Sequence, residues 1–192
     1  MKRYPRDKNE GLGGPVLPLP EEAFSPDGYI VDQSRTASAR YGRYGSDYNG
    51  CGWIAAYNLL HRCGFGFTPD DVRSGLEPSL RLRGKFGTFP FSLRRFLRRF
   101  LPVSLKICTK KRFEKLSCAP GILLYWTGSA AHNVHFAPCE EHEGCLRLCN
   151  AVYGVAMHVM RPAEFFSRYV KFPLALIFTV RPAEPGGSGD TE

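Results

Sequence analysis

Asn49-Gly50-Cys51-Gly52-Trp53-Ile54-Ala55-Ala56-Tyr57-Asn58-Leu59-Leu60 carries a glycine-punctuated loop straight into an apolar helical run. Cys51 falls at the junction. Its thiol is expected at the positive end of a helix dipole, among backbone N–H groups that lack partners within the helix. Such an address lowers a thiol pKa and makes a thiolate nucleophile available near neutral pH. The same N–H groups can receive a developing oxyanion. The chemistry implied is acyl transfer through a thioester, which needs a base and a group to orient that base.

Outward from this stretch the order is helices, then strands. The first helix runs from Cys51 to near Gly64, a glycine suited to the left-handed position after a helix end. Thr68-Pro69-Asp70-Asp71 puts an N-cap, an N1 proline and an N3 carboxylate together and opens a second helix. The third covers Phe89 to Phe100, with Leu93, Phe96, Leu97 and Phe100 on one face and Arg94, Arg95, Arg98 and Arg99 on the other. Strands are predicted over Val103–Cys108, Gly121–Trp126, Asn133–Pro138, Cys145–Tyr153, Val155–Met160 and Phe172–Val180, with a short helix at Arg161–Phe166. The polar turn Glu140–Gly144 joins two of them as a hairpin. The fold class expected is α+β, a nucleophile helix packed on a C-terminal antiparallel sheet. Residues 1–35 read as an extended arm, 36–182 as the domain and 183–192 as a disordered tail.

The chain has 192 residues, 43% of them hydrophobic and 13% aromatic, enough for one globular core. The formal charge of +8 is spread along the sequence and reads as a solubility feature. The arginine face of the third helix lacks interleaved exposed aromatics, so no nucleic-acid partner is expected. Seven cysteines without regular spacing fit reduced thiols in a cytoplasm better than a disulfide scaffold. Neither a signal peptide nor a membrane span is expected.

A cysteine nucleophile calls for a histidine. His61 lies inside the first helix, His142 in the hairpin turn and His158 late in the chain. His132 and His135 remain, at the start of a strand. His132 follows the small residues Gly128-Ser129-Ala130-Ala131 and is preferred on that ground; His135, three positions on, faces the other side of the sheet. Asn150 shares a strand face with Leu146 and Leu148, which puts an amide on the buried side, where it must be hydrogen-bonded. An imidazole N–H on the adjacent strand is a natural partner.

With Tyr48-Asn49-Gly50-Cys51-Gly52, Gly87-Thr88, Ala131-His132 and Cys149-Asn150 in view, the chain resembles the papain-like cysteine peptidase superfamily. It is most similar to the compact bacterial domains that process bacteriocins after double-glycine leaders. The resemblance spans about residues 45 to 180. It implies a papain-like fold, a peptide or protein substrate and no cofactor or metal. Cys51 would be nucleophile, His132 general acid/base and Asn150 the orienting residue. Two features depart from the family pattern. Gly45 stands where a glutamine usually supplies an oxyanion donor, and the only glutamine, Gln33, is eighteen residues before Cys51. Asn49 or Ser46 is the replacement donor to consider, though Asn49 also suits the helix N-cap. Trp53 stands where a small residue or proline is common. The alternative function is a weak or inactive papain-like module that binds peptides or takes part in assembly. Cys139, His142, Cys145 and Cys149 suggest a zinc site whose spacing matches no common knuckle.

Overall fold

The computed structural model describes residues 18–109, 120–128, 134–152, 155–172 and 174–180. Two short strands, β1 (Arg40–Tyr41) and β2 (Tyr44–Gly45), precede a helical group. That group comprises α1 (Ser46–Asn49), α2 (Cys51–Arg62), α3 (Pro69–Leu76) and α4 (Pro90–Leu97). Strands β3 (Val103–Thr109), β4 (Gly121–Trp126), β5 (Val134–His142), β6 (Cys145–Val152), β7 (Val155–Met160) and β8 (Leu174–Val180) follow, with α5 (Pro162–Tyr169) between the last two. The larger sheet has the order β3-β8-β4-β5-β6-β7, with every pairing antiparallel. The chain is an α+β domain.

Helix α2 is buried from Gly52 through Leu60, all the way round, as expected of a helix at the centre of a core. It stops where the sequence says it should. Gly64 has φ +80°, its N–H donates to His61 O, and the Phe65 N–H donates to Leu60 O, the paired bonds of a Schellman end. Helix α3 opens on a reciprocal capping box, in which Thr68 Oγ1 accepts from the Asp71 N–H and the Asp71 carboxylate accepts from the Thr68 N–H. Helix α4 ends at Leu97, short of the expected Phe100; Leu93, Phe96 and Leu97 are buried, Arg95 and, just past its end, Arg98 and Arg99 are exposed, and Arg94 is half-buried.

The strand period of two serves two cores. Ile122, Leu124, Phe136 and Phe178 pack with Trp53, Ile54 and Leu60 of α2. The alternating neighbours Leu123, Tyr125, Ala137 and Ile177 pack with Phe165 and Phe166 of α5. Central strands are therefore covered on both faces, and β4 reads as a continuous apolar run for that reason. The β5–β6 hairpin is tighter than its polar stretch suggests. Its strands run on to His142 and from Cys145, leaving Glu143 (φ 52°) and Gly144 (φ 74°) as the turn. Positive φ at both central residues is what a right-twisted two-residue hairpin requires.

Of the expected N-terminal arm, residues 18–35 lie on the domain. Ala23 and Ile30 are fully buried. Asn58, in mid-α2, clamps the backbone of Ile30: Nδ2 donates to Ile30 O (2.8 Å) and Oδ1 accepts from its N–H (2.9 Å). Residues 1–17 and the tail at 183–192 lie outside the described residues. Among the described residues, no helix is long and apolar enough to cross a membrane.

Candidate active site

Cys51 is presented by a braced helix start. Trp53 is fully buried, and its Nε1–H donates to Ser46 Oγ (3.0 Å), tying the first turn of α2 back onto α1. Asn49 Nδ2 donates to Tyr41 O (2.9 Å) and Gly84 O (2.8 Å), so both of its amide hydrogens are committed. Gly50, not Asn49, is the N-cap of α2. Gly52 has to be glycine, because a Cβ there would run into the Thr88 side chain. Thr88 is itself buried, with its Oγ1 2.9 Å from the Tyr41 hydroxyl. These contacts give the sequence pair Gly87-Thr88 a concrete task, a wall against the start of α2.

Beside that wall is a cavity of about 440 Å³, lined by Cys51, His135, Gln33, Thr88 and Tyr125 among others. Burial pushes the Cys51 thiol up from its ordinary value, while the backbone N–H groups of Phe136, Gly52 and Cys51 pull it down. A helix N-terminus alone would lower the thiol pKa. The net direction is reversed because the sulfur is withdrawn from water, and desolvation penalises the thiolate. The N–H groups expected around the thiol are there; they partly offset burial without outweighing it.

His135 sits at the start of β5, across from Tyr125 on β4. One ring nitrogen, Nε2, meets the backbone carbonyl of Asn150. A carbonyl oxygen only accepts, so Nε2 carries the hydrogen and Nδ1 holds the free lone pair of a base. Burial pushes this imidazole down, against the opposing effect of the Asn150 carbonyl. Both directions, the thiol up and the imidazole down, favour the neutral forms of the two groups.

Asn150 is buried at the site, as expected, but its parts are used differently. The side chain bonds Gln33: Oδ1 accepts from the Gln33 N–H (3.0 Å), and Nδ2 donates to Gln33 Oε1 (3.3 Å). Gln33 Nε2 in turn donates to Ser46 O and Asp47 O, each at 3.0 Å. The carbonyl, not the amide, faces the imidazole. A register shift in β6 between Cys149 and Val152, with Asn150 at φ 52°, breaks the strand alternation there.

Cys51, Asn150 and His135 are thus brought to one place, whereas His132 lies outside the described residues. The sequence distance between Gln33 and Cys51 hides their place on one cavity. The only signal of Gln33 was its being the sole glutamine. Ser46 is fully buried and does not line the cavity, and the Asn49 amide hydrogens are committed, so neither reads as a free oxyanion donor. The backbone N–H groups at the start of α2 remain. His61 belongs elsewhere, stacked on Tyr57 and bonded to Asp27 O. Among the described residues, no three His, Cys, Asp or Glu side chains converge to hold a metal, and Cys139, His142, Cys145 and Cys149 stay distributed along β5 and β6.

The two pKa directions predict a pH profile. Alkylation of Cys51 by iodoacetamide is expected to rise with a midpoint above the ~8.5 of an ordinary thiol. Base-dependent turnover is expected to persist below the ~6.5 of an ordinary histidine, failing only as His135 protonates. An alkylation plateau extending down to pH 5–6 would instead reveal a thiolate–imidazolium pair.

No protein-family model matches the chain, and no curated protein matches it. Among solved structures it is similar to the peptidase domain of Streptococcus ComA, described as a bifunctional ABC transporter involved in a quorum-sensing pathway. The identity is 12% and the TM-score 0.46, over 68% of this chain and 91% of that one.

Proposed function

We propose that the chain is a papain-like thiol hydrolase that cleaves a peptide or amide bond through a thioester on Cys51. The observation carrying this reading is the meeting of Cys51 and His135 on one cavity, with the ring held by Asn150. In the proposed cycle, His135 Nδ1 takes the Sγ proton as the sulfur attacks the carbonyl carbon. The N–H groups of Cys51 and Gly52 receive the oxyanion. The imidazolium then protonates the leaving amine as the C–N bond breaks, leaving the acyl group on sulfur. Water, deprotonated by the same ring, hydrolyses the thioester and restores the thiol.

Throughout, the Asn150 carbonyl accepts from Nε2–H and favours the charged ring. Gln33 is a positioning residue that braces Asn150. His132, preferred on sequence, is the competing base, and exchanging the two leaves every other step unchanged. A peptide-binding module without turnover is the second reading. It is favoured by one observation, that the amide hydrogens of both Gln33 and Asn49 are already committed. Hydrolysis of internally quenched peptides by the full chain, set against Cys51→Ala, separates the two. Peptide release by the wild type alone supports the hydrolase, and binding without cleavage supports the module.

A further inference from the structure

Three cations, Lys85, Arg168 and Lys171, line the cavity over Cys51, and among the described residues no Asp or Glu does. They come from different parts of the chain: the loop before α4, the end of α5 and the segment just after it. All three are exposed. Among the described residues none is in an ion pair, and Glu164, one turn before Arg168 on α5, does not pair with it. Each head is nonetheless held near the cavity wall. The Arg168 guanidinium lies 5.4 Å from the Tyr169 ring, and Lys85 Nζ lies 5.8 Å from the Phe86 ring. Lys171 is anchored through its backbone N–H to Trp126 O (2.8 Å), and its Nζ donates to Arg168 O (3.3 Å).

Unpaired cations around a partly enclosed space of this kind produce a positive local potential that favours an anionic occupant. The general charge of +8 does not by itself say this; three cations on one cavity wall, with no carboxylate beside them among the described residues, do. The aromatic rings beside the cations suit the aliphatic portion of a side chain, and the partial enclosure around Cys51 suits an extended chain.

We propose that this cavity selects peptide segments bearing carboxylate side chains next to the bond presented to Cys51. The preference rests on the hydrolase reading for its purpose, but its electrostatics are measurable without turnover. Cys51 in the folded full chain is alkylated in parallel with iodoacetate, which is anionic, and iodoacetamide, which is neutral. Peptide mapping gives each rate at Cys51. The iodoacetate/iodoacetamide ratio is expected to exceed that of the urea-unfolded chain roughly 10-fold at low salt, each exposed cation contributing about 2–3-fold. It should fall to within about 2-fold of the unfolded ratio at ~1 M NaCl.

The triple variant Lys85→Gln/Arg168→Gln/Lys171→Gln should lose the excess. The three single variants, each expected to lose part of it, serve if the triple fails to fold. A glutamate hexapeptide should also protect Cys51 from iodoacetamide at a concentration at which its glutamine counterpart does not. A ratio equal to that of the unfolded chain overturns the proposal. So does protection by a thymidine decanucleotide equal to that by the glutamate peptide, since that would mark a general anion site. A raised ratio with selective glutamate protection but no peptide hydrolysis upholds the charge preference and removes the hydrolase reading. Hydrolysis that is indifferent to Glu or Gln does the reverse.

Discussion

His135→Ala is expected to lower kcat/KM for peptide hydrolysis by about 10²–10⁴-fold, the range for losing a positioned general base. Cys51→Ala is expected to remove catalysis altogether, a loss of about 10⁶-fold in enzymes of comparable design. Both expectations come from the same local geometry. The Asn150 carbonyl holds the Nε2 proton, so Nδ1 is the ring atom that would accept the thiol hydrogen in the proposed cycle. Combining the two substitutions should cost little more than Cys51→Ala alone, because the groups act as a unit. His132→Ala is the discriminating control, expected to leave most of the activity if His135 is the base. Steady-state assays with thermal melts of each variant check this. A larger loss in His132→Ala than in His135→Ala, with both folded, would move the base to His132 and leave Cys51 in place.

Trp53→Ala should be the most damaging change to stability near the site. The side chain is fully buried in the larger core and donates to Ser46 Oγ. Truncating a buried tryptophan costs about 3–5 kcal/mol in transfer and cavity terms. For a chain of this size that lowers the unfolding midpoint by about 6–20 °C. The damage should also reach function. Ser46 belongs to α1, and its carbonyl, with that of Asp47, holds the Gln33 amide that braces Asn150. Trp53→Phe keeps much of the volume and drops the hydrogen bond, so it should cost less than Trp53→Ala. Calorimetry of the pair reads the difference. Equal midpoints for Trp53→Ala and wild type would mean that the residue is not the core anchor its burial implies.

Legibility in the sequence follows the range of the forces. Helix starts and stops were readable because their chemistry is local: Thr68 and Asp71 are three positions apart, and Gly64 ends α2 by its own backbone freedom. The α+β class was readable from the switch between helical and strand periods. The candidate site was less legible. The burial of Asn150 was expected from strand alternation, but the alternation breaks at that residue, and its amide meets Gln33 across 117 residues of sequence. A backbone irregularity in β6 decides which of its groups faces the ring, and such bulges leave little trace in residue pattern. The sign of the Cys51 shift was equally hidden. A helix N-terminus is visible in sequence, whereas the desolvation that outweighs it depends on the packing of β5 over the thiol.

The most direct test of Cys51 as a covalent catalyst is acid-quenched mass spectrometry of the full chain turning over an activated peptide ester. The expected result is a transient acyl adduct that maps to Cys51 among the seven cysteines, decays with release of the free acid and is absent from Cys51→Ala. Hydrolysis that proceeds equally well in Cys51→Ala, or an adduct distributed over the other thiols, would contradict it.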